Sequence, residues 1–166
     1  MAPGEVNIAS KSMPGTGIPQ LLVRAVLAGS PAKVWSVVDD CNGYRRSMPR
    51  VVASRELSRT PGTVQCEMTV DMPFPFQDMV SVSDSVLTLQ PGRWHRTFRQ
   101  LRGDYVKNDG YWLLTPCGAD QTLVEYQVHA ILGAAIPDVL VRRGQLTAMR
   151  DMMRRLGELS GPAEPR

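Results

Sequence analysis

The chain has 166 residues, 43% of them hydrophobic and 21% charged, which suits one globular domain with a single core. The 19 Lys and Arg exceed the 16 Asp and Glu by only three, and the arginines are spread along the chain, so the charge does not argue for nucleic acid. No apolar run approaches the ~18 residues that a membrane-spanning helix needs.

Residues 1–19 are rich in Gly, Pro, Ser and Thr and lack the apolar stretch of a secretory leader. They read as a flexible tail, as do residues 161–166, leaving residues 20–160 as the domain. Leu21–Ala28 reads as the first strand and ends at Gly29. Ser30-Pro31 is a helix start: a hydroxyl that can cap free N–H groups, then a proline at the first helical position. That helix runs through Val34, Trp35 and Val38 to the stop signals Asp39-Asp40 and Asn42-Gly43. A second short helix fits Tyr44–Met48, before Pro49.

From Val51 the pattern changes to strands. Val51–Arg59 is one, closed by the turn Thr60-Pro61-Gly62. Val64, Cys66, Met68, Val70 and Met72 then alternate with polar residues, the period of a strand with one apolar face. Pro73-Phe74-Pro75-Phe76 interrupts the ladder. Asp78–Gln90 and Trp94–Arg102 form a hairpin about Pro91-Gly92, and Asn108-Asp109-Gly110 carries a turn signal. Tyr111–Thr115 and Gln121–Leu132 make the last hairpin. Residues 137–159 read as one amphipathic helix, with Val139, Leu146, Met149, Met153 and Leu156 on its apolar face. Turns at hairpin-like intervals imply an antiparallel sheet, and so long a helix needs that sheet to bury its stripe.

Cys41, Cys66 and Cys117 lie far apart with no CxxC. They read as free thiols in a reducing cytoplasm, with Cys66 a small buried hydrophobe. No phosphate-binding loop, zinc-protease motif or nucleophile elbow occurs, so no catalytic residue, cofactor or metal is expected. His95 and His129 sit on strands, and His129 shares a face with Glu125 and Gln127 that reads as outward and solvated.

Ser30-Pro31-Ala32-Lys33-Val34-Trp35, the Tyr44…Met48-Pro49 helix, Pro73–Asp78, and Gly110–Pro116 followed by Thr122–Tyr126 together resemble the helix-grip superfamily. This superfamily holds the START lipid-transfer domains, the polyketide cyclases and the coenzyme Q-binding proteins. The resemblance implies an α+β fold: a curved antiparallel sheet of about seven strands around a long C-terminal helix, with two short helices after the first strand. It also implies an elongated pocket between sheet and helix, and hence binding or transport of a small hydrophobic ligand such as a lipid, quinone or polyketide. Transient membrane contact and a cytoplasmic location go with that reading. The residues expected to line the pocket are Trp35, Tyr44, Met48, Met68, Val70, Asp84, Trp94, Arg96, Phe98, Trp112, Tyr126, Leu146, Met149 and Met153. Asp84 and Arg96 have two readings: an inward charged pair that anchors a ligand head group, or a structural or outward-facing position. A cyclase/dehydratase enzyme using Arg96, Asp84 or Tyr126 as acid–base groups is the alternative function, and a protein- or ribosome-interaction module the second.

Overall fold

The computed structural model describes residues 1–162. Eight strands form one antiparallel sheet: β1 (Val6–Lys11), β2 (Gln20–Ala28), β3 (Val51–Arg59), β4 (Thr63–Val70), β5 (Met79–Gln90), β6 (Arg93–Gly103), β7 (Tyr105–Pro116) and β8 (Gln121–Leu132). Their order is β1-β2-β8-β7-β6-β5-β4-β3. Between β2 and β3 lie helix α1 (Pro31–Val38), a 3-10 turn (Cys41–Gly43) and the one-turn helix α2 (Tyr44–Ser47). The long helix α3 (Asp138–Ser160) follows β8 and crosses the concave face of the sheet.

Local chemistry explains the element boundaries. Ser30 caps α1, its Oγ accepting from the Lys33 N–H at 3.4 Å, with Pro31 in the first turn. Asp40 does the same for the 3-10 turn, Oδ1 accepting from Gly43 N–H at 3.2 Å. The C-terminal end of α3 docks on the start of the α1 segment, where Ser160 Oγ donates to Leu156 O and lies 3.2 Å from Ala28 O. This approach requires Gly29: its φ is +109°, and a Cβ there would meet the Ser160 carbonyl oxygen.

Three sequence expectations are corrected. The segment read as an N-terminal tail supplies β1, which pairs with β2 from Val6 opposite Ala25 to Lys11 opposite Gln20, so the sheet has eight strands. Its Val6 and Ile8 pack on the core, an alternation too short and too polar to stand out in a Ser- and Gly-rich stretch. The other proposed tail, residues 161–166, lies mostly outside the described residues. Asn108-Asp109-Gly110 is not a turn. The chain reverses at Gly103-Asp104, and β7 runs on through Gly110, which sits opposite Phe98 and Val128. A side chain at Gly110 would collide with the Gln127 carbonyl, so this glycine serves a close backbone approach. Finally, Cys41 and Cys66 form a disulfide that pins the 3-10 turn to β4, with Cα atoms 6.0 Å apart. The case for a reducing compartment rested on three free thiols and loses that premise. Among the described residues only Cys117 is free.

Val23, Ala25, Leu27, Leu114 and Val124 from the sheet, Val34, Trp35 and Val38 from α1, and Met152, Met153 and Leu156 from α3 form the main core. The stripe on α3 starts later than its periodicity suggests. Val141 is buried, but Val139 and Leu140 in the first turn are more than half exposed, because the close backbone neighbours of α3 are α1, α2, β1 and β2.

Candidate functional site

Strand register fixes which side chains face α3. One row across the sheet runs Val23, Tyr126, Trp112, Arg96, Leu87, and the next runs Leu21, Val128, Gly110, Phe98, Ser85, Val64. Further along, Cys66 lies beside Ser83 and Gln100, and Met68 beside Ser81 and Ser54. Thus Met68, Val70, Trp94, Arg96, Phe98, Trp112 and Tyr126 share the concave face. Asp84 does not. It pairs with Arg99 on the opposite, outward face, where it borders a groove of about 460 Å³ with Arg99, Asp109 and Tyr111. Hairpin parity decides this. Counting outward from Gln90 opposite Arg93 puts Arg96 opposite Leu87 and Arg99 opposite Asp84.

Arg96 is buried and committed. Its Nη1 donates to the Val38 carbonyl and to Asp39 Oδ1, each at 3.2 Å. Asp39 also accepts from Arg59 at 3.0 Å, and Arg59 reaches Glu56 at 2.7 Å. The Val38 carbonyl accepts a second bond, from the Tyr44 hydroxyl at 2.5 Å. Both donors therefore satisfy the C-terminal end of α1, where free carbonyls and the helix dipole favour positive charge. Arg96 fastens α1 to the sheet. Burial pushes the Tyr44 phenol pKa upward, and the neighbouring Arg96 guanidinium opposes that shift.

The concave face divides into a filled end and a partly open end. At the filled end Trp35 meets Trp94 edge to face at 5.7 Å, and Trp112 of β7 and Met153 of α3 are buried in the main core. At the other end Met68, Val70, Phe98, Tyr126 and Met149 face inward but keep accessible surface. Tyr126 stacks on Phe98 at 6.0 Å and packs on Trp112 at 4.3 Å. It is surrounded by protein densely enough for burial to drive its phenol pKa well upward, yet it retains exposed surface. Tyr105 is raised by burial in the same way. Met48 edges the disulfide cluster with Tyr44, and its carbonyl accepts from Arg155 of α3 at 3.2 Å. Leu146 instead borders a cleft of about 380 Å³ between α3 and the segment after β1, with Met13, Leu21, Arg142 and Gln145. Neither of these two depressions is bordered by Tyr126 or by the β5 serines.

Those serines are what sequence reasoning missed. Val80, Val82 and Asp84 read as the inward set of β5. Register instead turns Ser81, Ser83 and Ser85 inward, all buried, while Val80 is exposed. Ser81 Oγ lies 2.9 Å from Gln100 Oε1, and Gln100 Nε2 donates to the Tyr105 carbonyl. The buried Ser85 and Ser54 hydroxyls have no partner among the described residues. His129 also departs from expectation. It lies on the outward face but is buried, its Nε2 3.0 Å from the Ile18 carbonyl, because residues 12–19 fold over that edge.

Residues 27–156 match the family model described as polyketide cyclase / dehydrase and lipid transport. The chain belongs to this family. Among solved structures, a STAR-related lipid transfer protein from Xanthomonas axonopodis superposes with a TM-score of 0.83 at 21% identity, covering 95% of this chain and 94% of that one. Human STARD10 gives 0.81 at 9% identity over 93% of this chain and 69% of that one. The Zhui aromatase/cyclase from Streptomyces sp. R1128 gives 0.64 at 18% identity over 93% and 94%. At these identities the likeness shows the shared helix-grip fold. None of the curated proteins matches the chain.

Proposed function

We propose that the protein binds and carries a small hydrophobic molecule in the space between α3 and the inner face of β4–β8. One observation carries this reading. Phe98, Tyr126, Met68 and Val70 face inward on the sheet that α3 crosses, yet they keep accessible surface. A packed core leaves few such gaps, and an apolar wall with a few polar groups is the usual build of a small-molecule site. Family membership supports it. Of the three groups considered for acid–base chemistry, Asp84 lies on the outward face and Arg96 is committed to α1. That leaves Tyr126 as the group of the three that is free to meet a ligand in this reading.

The same end of the sheet holds the Pro73–Phe76 loop and the start of α3. Phe74 is 97% exposed there, and Val139 and Leu140 are also exposed. We read this end as the entrance and as the surface for transient membrane contact. The test fills the space. Val70→Trp should abolish binding of a naphthalene-based fluorescent probe while the far-UV circular dichroism stays native. Undiminished probe affinity in a folded Val70→Trp protein would refute the assignment.

A further inference from the structure

The two edges of the sheet are finished differently. β3 is guarded. Its ladder to β4 carries two register shifts, the 3-10 turn and α2 pack against it, and Asn42 Oδ1 accepts from the Glu56 N–H at 2.9 Å. β1 is bare. Its pairing with β2 is regular from Val6 to Lys11, it holds no proline and no bulge, and Asn7, Ala9, Ser10 and Lys11 are exposed. Among the described residues no loop or side chain bonds to its outer row of N–H and C=O groups. A regular open edge is ready to accept another strand, and native folds normally blunt one. We propose that β1 pairs antiparallel with β1 of a second copy of this chain, about a two-fold axis at Ile8, joining the two sheets edge to edge.

The residues of the strand select both the partner and the register. Val6 and Ile8 pack on the core, so Asn7 and Ala9 alternate away from it. For two copies to continue one sheet with both core faces on the same side, facing residues must share a face, which puts the axis through a residue. An axis at Ile8 gives every residue of the strand a partner: Val6 meets Ser10, Asn7 meets Ala9, and Ile8 meets Ile8 of the second copy. It also sets Glu5 opposite Lys11 at both ends. Both side chains are exposed, and neither has an ion-pair partner among the described residues. Opposite charges facing across two strands favour the pairing and fix its register. An axis at Asn7 or Ala9 breaks both charge pairs. The strand is thus complementary to itself, acidic end to basic end, as a two-fold contact requires. So short a ladder is small for an interface, so the association is weak and depends on concentration. The proposal concerns the sheet edge alone and holds whatever the cavity carries.

Sedimentation velocity of the full chain, from low micromolar to half-millimolar concentration, reads the association. The wild type should pass reversibly from monomer to dimer. In Lys11→Glu, and equally in Glu5→Lys, both pairs across the axis become like-charged, and Kd should rise about fivefold to thirtyfold. The double variant Glu5→Lys/Lys11→Glu faces opposite charges again and should return to within about twofold of the wild-type Kd. Lys33→Glu, an equal change of net charge at an exposed position on α1, should leave Kd unchanged. All four variants should keep the wild-type far-UV circular dichroism. A wild type that stays monomeric over the whole range overturns the inference and leaves this edge to an extended segment of another protein. A dimer indifferent to the single reversals, or not restored by the double variant, overturns it as well.

Discussion

Arg96 and Asp39 form one ion pair, but their removal should not cost the same. Arg96 has a side-chain exposure of 4%, against 22% for Asp39. When Arg96 is replaced by Met, both of its acceptors keep a donor: Asp39 retains Arg59 at 3.0 Å and the Val38 carbonyl retains the Tyr44 hydroxyl. The loss is then two charge-assisted hydrogen bonds with no acceptor stranded and a similar apolar volume restored, about 2 kcal/mol. Asp39→Ala is worse. It removes the only carboxylate within ion-pairing distance of Arg96 among the described residues. The guanidinium stays buried with one backbone carbonyl, and Arg59 loses a partner too. Stranding a buried charge in this way costs about 4 kcal/mol. The difference of about 2 kcal/mol corresponds to roughly 4–8 °C in Tm for a domain of this size. Urea unfolding of both variants, with a melt of each, measures it. Equal costs, or a costlier Arg96→Met, would refute the assignment of Arg96 as a clamp whose acceptors are doubly served.

Three further outcomes follow from the same structure. In denaturant without reductant, iodoacetamide should label one cysteine, Cys117, and after reduction three; three labels without reductant would exclude the Cys41–Cys66 bond. The disulfide closes a separation of 25 residues, so Cys66→Ser should cost about 3.5 kcal/mol by chain entropy. Burial raises the phenol pKa values of Tyr44, Tyr105 and Tyr126 in the folded state. Their contribution is intact below the unfolded value of about 10 and is lost as pH rises above it, by up to about 1.4 kcal/mol per pH unit for each phenol. A urea midpoint that stays flat into the alkaline range would contradict this. Deleting residues 1–11 should destabilise the fold by roughly 2–4 kcal/mol, since Val6 and Ile8 leave the core with the β1 ladder. A tail would cost nothing.

Much of the fold was legible because its signals are local. Ser30-Pro31 starts a helix, Pro91-Gly92 turns a hairpin, and the Val64–Val70 alternation shows one buried face. The long helix shows its stripe over most of its length. What failed depends on partners far away in sequence. β1 is a strand only because β2 offers an edge, and Gly110 avoids a turn only because β8 passes close behind it. Cys41 and Cys66 are joined by the way the 3-10 turn and α2 pack on β3, next to β4, which spacing alone does not reveal. The site was half legible. Tyr126, Phe98 and Met68 follow from apolar alternation. Asp84 was misplaced because β5 alternates valine with serine, and hydrophobicity favours the wrong face. The hairpin register that corrects it was already readable from the Gln90–Arg93 turn.

The central claim is that the inward surface around Phe98 and Tyr126 is occupied by an apolar molecule. Native mass spectrometry of the purified protein, followed by denaturing extraction of what it carries, tests this directly. The expected result is a stoichiometric apolar adduct, released on unfolding and absent from Val70→Trp. A clean apoprotein mass, together with no thermal shift from a panel of quinones, fatty acids and aromatic polyketides, would contradict it.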